Sequence, residues 1–318
     1  MNQITKNLIR SILIAGASAA MGFSLALGNA SDSNPDEGHS FSKRLVVTQD
    51  SISFGAYDPY GDFSSASKAS IEHIFLPWED VDLSDLQAAD AYALARGRKL
   101  MVTVEPWSWS ADSRIRPAAL LDGILAGRYD ANITAVCSAI SRLKSPISIR
   151  WGQEMEDPST IFPWSHWSPK EFIAAYQRFV TECRKHAPDA KYVWSPKGNK
   201  ELVDYYPGDQ YVDEIGLSVF GYQPYDEINF GGDRTFAQAL EQGYRLAEGF
   251  GKPIIVAELG YEGSPDYVTR WAKDVTTPHI EFPRLVAVVY FNTRETNPWP
   301  RNMGRPNWRI GPPATVGP

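Results

Sequence analysis

Eight short apolar runs, separated by helical patterns, constrain this chain more than any other feature. They are Ser51–Tyr57, Ile71–Leu76, Leu100–Glu105, Pro146–Trp151, Lys191–Ser195, Glu214–Val219, Pro253–Glu258 and Leu285–Phe291. Runs this short, nearly continuous in apolar or β-branched residues, suit strands covered on both faces. Between them, Leu83–Arg96 is rich in Ala and Leu, and Ile133–Leu143 repeats apolar residues at helical spacing. Ser168 and Pro169 form an N-cap and first helical position for a helix through Lys185, and Thr235–Gly249 and Pro265–Val275 add two more. Strands alternating with helices predict a parallel α/β architecture, and eight strands close a (β/α)8 TIM barrel. An open doubly wound sheet is the alternative. No Gly-rich phosphate loop follows any strand, which counts against its nucleotide-binding form.

The chain has 318 residues, of which 43% are hydrophobic and 22% charged, enough for one large barrel over residues 49–318. Residues 1–30 read as an export signal: Lys6 and Arg10 are basic, Ser11–Leu27 is uncharged and mostly apolar, and Gly28-Asn29-Ala30 supplies small residues for cleavage. An uncleaved anchor is the competing reading. Residues 31–48 are expected to be a flexible linker, on the Ser, Asp, Asn, Gly and Pro content of Ser31–Ser42. The mature chain is thus expected in a secreted or periplasmic setting, with no integral membrane span. Cys137 and Cys183 each fall in a helical segment, and an oxidising compartment would permit a disulfide between them; two buried thiols are the alternative.

The formal charge is −7, and falls to −9 without Lys6 and Arg10. An acidic surface repels phosphate backbones, so nucleic acid is not an expected partner. The five histidines are scattered and neither cysteine has metal-ligand spacing, so no metal or other cofactor is expected. Ten Trp, 15 Tyr and 14 Phe are more informative. Several Trp stand beside Pro, Ser or Asn, as in Pro106-Trp107-Ser108-Trp109, Pro163-Trp164-Ser165-His166-Trp167 and Asn297-Pro298-Trp299. A Trp on a loop is either buried locally or offered to a ligand, and flat apolar rings suit the C–H faces of sugars.

Chemistry on such a barrel belongs at the C-terminal strand ends. Glu105 ends the third strand, Glu154 follows the fourth and Glu258 ends the seventh. Two carboxyls meeting over the barrel mouth are what glycosidic cleavage requires, one to protonate the leaving oxygen and one to attack the anomeric carbon or activate water. Glu154 and Glu258 are therefore the expected catalytic pair. Glu105 is open to three roles: binding substrate, orienting a neighbour or pairing with an arginine. Glu156 and Asp157 read as solvated loop acids.

The ordered motifs Glu105-Pro106-Trp107, Arg150-Trp151-Gly152-Gln153-Glu154-Met155, Phe162-Pro163-Trp164, Val193-Trp194-Ser195-Pro196, Tyr205-Tyr206-Pro207-Gly208-Asp209 and Val256-Ala257-Glu258-Leu259-Gly260 resemble those of glycoside hydrolase family 26. That family consists of retaining (β/α)8 enzymes, best known as β-mannanases, with some β-1,3-1,4-glucanases and β-1,3-xylanases. The resemblance runs from about Ser51 to Ile310. It implies Glu154 as acid/base and Glu258 as nucleophile. Glu105, Trp107, Trp151, Gln153, Trp164, Trp194, Tyr222 and Trp299 are the expected substrate-binding residues, with Trp109 a further stacking candidate. Three positions depart from the pattern. Gln153 stands where the family has His, and Glu156 where it has Asn. At the sixth-strand end Phe220 or Tyr222 could align with the family's Tyr; Tyr222 is preferred because its phenol can donate to a carboxylate.

The expected activity is an endo-β-1,4-mannanase-like hydrolysis of a polysaccharide. The alternatives are a β-1,3-1,4- or β-1,4-glucanase acting on an exopolysaccharide, an enzyme that trims or transfers chains during export, and a non-catalytic polysaccharide-binding or assembly protein.

Overall fold

The structure, a computed structural model, describes residues 43–110, 115–299 and 301–311. The expected signal and most of the expected linker lie outside the described residues. Eight parallel strands form one closed barrel in sequence order: β1 (Ser53–Tyr57), β2 (Ala69–Pro77), β3 (Lys99–Glu105), β4 (Ile147–Trp151), β5 (Lys191–Trp194), β6 (Glu214–Tyr222), β7 (Ile254–Glu262) and β8 (Leu285–Phe291). All eight correspond to expected runs, and the open-sheet alternative is set aside. The helices are α1 (Asp85–Leu94), α2 (Pro117–Leu125), α3 (Asp130–Ile140), α4 (Pro169–Arg184), α5 (Gln223–Phe230), α6 (Phe236–Glu248) and α7 (Pro265–Asp274).

Two apolar regions hold this together. The larger lies between strands and helices and buries Leu120, Ile133, Phe172, Phe179, Leu240 and Trp271. The smaller fills the inside of the barrel with Ile71, Met101, Val193, Ile255, Ala257, Ala287 and Val289. Above that plug the interior turns polar, with His73, Thr103, Arg150 and Ser195 all buried. Gly216 is what lets that layer close: a Cβ there would stand 2.7 Å from Ser195 Oγ and 3.0 Å from Ala257 Cβ.

Helix α4 starts as its sequence implies. Ser168 Oγ accepts from Glu171 N, and the Glu171 carboxylate accepts from Ser168 N at 2.8 Å, a reciprocal capping box. A Cys137–Cys183 disulfide ties α4 to α3 across 46 residues of sequence. Segment 43–48, expected as linker, is docked instead: Val46 N donates to Ala272 O at 2.8 Å, and Leu45 and Val47 pack on the core. The folded unit thus begins several residues before position 49. The apolar character of Leu45-Val46-Val47 explains the difference, since it supplies the burial a flexible linker lacks.

Candidate active site

The C-terminal strand ends open into a cleft of about 1080 Å³, whose lining includes Tyr57, Glu105, Gln153, Glu154, Lys197, Phe220, Glu258, Glu295 and Trp299. Glu258 is in the barrel interior because β7 departs from strict alternation. Ile255 and Ala257 face inward, so regular pleating would send Glu258 outward. The register with β6 jumps from Leu217–Val256 to Ser218–Glu258, a bulge at Ala257, and turns the carboxylate back toward the mouth. There Arg150 Nη1 donates to Glu258 Oε1 at 2.6 Å.

Arg150 is fully buried and held from two sides: its Nε donates to Ser195 Oγ at 2.8 Å, and Thr103 Oγ1 lies 3.5 Å from its Nη1. Thr103 in turn bonds His73 Nε2 at 2.7 Å. Burial, and then the charge of Arg150, keep His73 well below the usual histidine range, so the ring stays neutral. Glu258 is pushed up to about 7, burial outweighing the ion pair, with the negative charge of Glu154 adding to the effect.

Glu154 occupies a different setting. It lies in the turn after β4 with φ of 55°, one residue beyond Gln153 and two beyond Gly152 (φ 61°), and its side chain is partly exposed to the cleft. Its amide donates to Ser195 O at 2.8 Å. The two expected catalytic carboxylates therefore line one cleft from different mounts, one buried on a strand and one open on a turn.

Of the three readings of Glu105, orienting its neighbours fits. Its Oε2 accepts from Trp107 Nε1 at 3.0 Å and Trp109 Nε1 at 2.5 Å, and its Oε1 accepts from Gln153 Nε2 at 2.6 Å. Gln153 thus spends its amide NH2 on Glu105, and its buried Oε1 has no hydrogen-bond partner among the described residues. Trp107 and Trp109 line the cleft, as does Trp299, which packs edge-on against Phe220 and Tyr225.

Four expected ligand residues are elsewhere. Trp151 is buried between strand and helix, stacked on Phe179 at 5.0 Å. Trp164 is buried against Phe162 and Trp107 and donates to Gln153 O at 2.7 Å, so it props the cleft wall from behind. Trp194 is buried edge-on against Tyr206 and Phe250. Each satisfies its apolar surface within the core, which leaves no face for a sugar. Tyr222 donates to Met303 O at 2.7 Å rather than to Glu258, and Phe220, two residues earlier, is the one that lines the cleft. Glu156 and Asp157 are not solvated but buried: Glu156 Oε1 accepts the amides of Gly198 and Asn199, and Asp157 pairs with Lys197 at 2.6 Å.

Other residues of the site, in the cleft wall or beneath it, were not singled out from the sequence. Tyr57 and Phe291 end strands, so the strand-end rule that picked out Glu105 would have reached them. Arg150 carried its own signal, a charge inside an apolar run. Glu295 is harder to see; it lies past β8 and owes its place to Trp308 Nε1, which donates to it at 2.9 Å, and to Trp299. Among the described residues, no group of three or more His, Cys, Asp or Glu is arranged to hold a metal, and no helix is long and apolar enough to cross a membrane.

Comparison with known proteins agrees with this architecture. Residues 127–251 match the model of glycosyl hydrolase family 26, so the resemblance read from the motifs is met there. That span holds the Glu154 and Trp194 motifs; Glu258 lies just beyond it. Endoglucanase H of Acetivibrio thermocellus is 26% identical over 246 residues, 73% of this chain and 26% of that protein. A beta-1,3-xylanase of Alcaligenes sp is 24% identical over 118 residues, 34% of this chain and 24% of that protein. The chain spans about a quarter of the length of these relatives. Among solved structures, a modular endo-beta-1,4-mannanase from Cellulomonas fimi superimposes with a TM-score of 0.57 at 18% identity, over 80% of this chain and 68% of that one. A GH26 beta-mannanase from Bacteroides ovatus gives 0.58 at 16%, over 91% and 86%. At these identities the structural likeness establishes the barrel fold.

Proposed function

We propose that this chain, whose central segment carries the glycosyl hydrolase family 26 pattern, is a retaining glycoside hydrolase acting on a β-linked polysaccharide. The observation that carries the reading is the pair Glu154 and Glu258, facing one aromatic-walled cleft from unlike environments. Glu258, buried on Arg150 beneath the cleft, suits a nucleophile: the guanidinium aims it and favours its ionised form. Glu154, open to the cleft on its turn, suits the group that gives a proton to the leaving oxygen and later takes one from water. A covalent glycosyl-enzyme on Glu258 is the intermediate, and no cofactor enters.

The substrate is a neutral glycan held by Trp107, Trp109 and Trp299. Structural neighbours called mannanases favour a mannan, whereas the curated relatives are called an endoglucanase and beta-1,3-xylanases. The mannan reading is taken first because both mannanase structures align over most of this chain. Export is part of the proposal; the disulfide and the basic-then-apolar start of the chain support it.

The test is product sizing on mannan, glucomannan, lichenan, xylan and cellulose, with the anomer first released read by NMR. Glu154→Ala is expected to lose roughly 10²–10⁴-fold in turnover, and Glu258→Ala at least as much. Azide should rescue Glu258→Ala with inverted configuration. Near-normal turnover by either variant removes that residue from the mechanism, and no hydrolysis of any glycan by the wild type favours a binding or assembly role.

A further inference from the structure

A row of aromatic rings runs along the cleft from the strand ends outward. Phe291, at the end of β8, meets Phe220 of β6 edge-on with ring centres 6.4 Å apart, and Phe220 meets Trp299 at 6.4 Å. Trp299 meets Tyr225 of α5 at 5.3 Å, and Tyr225 meets Phe230, the last residue of α5, at 6.1 Å. All five line the one cleft that holds Glu154 and Glu258. Phe230 ends the row 56% exposed. A lone exposed ring is ordinary on a protein surface; one braced by buried charge is not. The Arg234 guanidinium lies 3.9 Å from the centre of the Phe230 ring. Arg234 is itself fixed: its Nε donates to Asp226 Oδ1 at 2.8 Å, its amide to Asp226 Oδ2 at 3.2 Å, and its carbonyl accepts from Trp271 Nε1 at 2.9 Å. Asp226 is wholly buried and also receives the Tyr267 hydroxyl at 2.6 Å. Desolvating a carboxylate is costly. What it secures here is the short turn through Gly231 (φ 75°) that lays the guanidinium against the ring.

We propose that Tyr225 and Phe230 form a distal subsite, at which a sugar unit of the polymer, away from the bond being cut, stacks its C–H face on the Phe230 ring while Arg234 holds that ring in place. The inference rests on the hydrolase reading above and deepens it. A platform at the far end of the row recognises an internal stretch of glycan rather than a chain end, which is what endo action on a polymer requires. The occupant is the glycan itself because the platform is continuous with the catalytic cleft, and its rings follow one another at steps on the scale of a sugar ring. Ile228 sharpens the contrast. It lies on the same helix and is 60% exposed, yet it stands outside the cleft lining and has no place in the row.

The experiment is calorimetric titration of the Glu154→Gln chain, in which cleavage is silenced, with β-1,4-linked mannohexaose, cellohexaose and xylohexaose. Adding Phe230→Ala is expected to weaken the best-bound hexasaccharide roughly 3–10-fold, the effect of losing one aromatic stacking contact. Phe230→Tyr keeps the ring and should restore the affinity, and Ile228→Ala should leave it at the parent value. In the active chain, Phe230→Ala should raise KM for glucomannan by more than it lowers kcat, the mark of binding lost equally from ground and transition states. Affinity in Phe230→Ala equal to that in Ile228→Ala overturns the inference, even with hydrolysis intact, and so does failure of the parent to bind any of the three hexasaccharides. Weakening confined to Phe230→Ala, in a chain whose wild type hydrolyses no glycan, leaves the subsite standing and removes the function assigned above.

Discussion

Arg150 on β4 reaches across the inside of the barrel to Glu258 on β7, and the 2.6 Å contact joins two staves that share no backbone hydrogen bonds. The strand order puts β5 and β6 between them, so only an inward side chain of this length, meeting a carboxylate turned in by a bulge, can make the link.

That link governs the acidic side of the rate profile. Glu258 must be ionised to attack, and burial raises it to about 7, so kcat/KM should fall as pH drops through that value. Arg150→Met removes the opposing charge and should carry the acidic limb up by a further 1–3 units, roughly the effect of one adjacent opposite charge. An acidic limb that does not move in this variant would show that the guanidinium does not tune the nucleophile.

The sign for stability is the reverse. A carboxyl that holds its proton more tightly when folded contributes stability that is present below its unfolded value near 4.5 and lost as pH rises through about 7. The melting temperature of the wild type relative to Glu258→Gln, which has no proton to lose there, is therefore expected to decline between pH 5 and pH 8. Calorimetry at four or five pH values checks it; a flat difference counts against the raised value.

The Cys137–Cys183 bond closes a loop of 46 residues. Chain-entropy arguments assign such a closure roughly 4 kcal/mol, or a loss of about 8–16 °C in Tm when it is removed from a domain of this size. Scanning calorimetry of Cys137→Ala/Cys183→Ala beside the oxidised protein measures it. Because the bond ties α3 to α4 on the outer layer, kcat at low temperature is expected to change little.

Trp194 and Trp299 separate core from cleft. Trp194→Ala should cost about 3–5 kcal/mol of stability, as large core truncations do, with KM nearly unchanged in whatever remains folded. Trp299→Ala should instead raise KM for the polymer while leaving Tm close to wild type. Isothermal denaturation and initial rates on both variants are sufficient, and the reverse pattern would mean the two rings have been assigned to the wrong surfaces.

Much of the barrel was legible from sequence because parallel strands buried on both faces are nearly continuous apolar runs, and eight such runs leave few ways to close. Glu105, Glu154 and Glu258 were legible for a related reason: chemistry at strand ends is a property of the fold. The bulge at Ala257 was not, since nothing in Val256-Ala257-Glu258 marks an extra residue in the pleat; it exists in the pairing with β6. The tryptophans failed for a different reason. Pro and Ser beside Trp164 correctly marked a loop, but that loop folds its ring back under Trp107. Trp151 and Trp194 lie on strands, where alternation aims them at the helices. Helices α2 and α5 escaped notice because Gly123 interrupts one pattern and polar residues dominate the other.

The left-handed backbone at Glu154 has a consequence for how the sequence can drift. A glutamate is a poor choice for φ of 55°; glycine or asparagine would rest there at lower conformational cost, a difference on the order of 1 kcal/mol. A lineage that ceased to need this carboxyl would gain stability by exchanging it. Its presence is a standing preference for a side chain over the comfort of the chain that bears it.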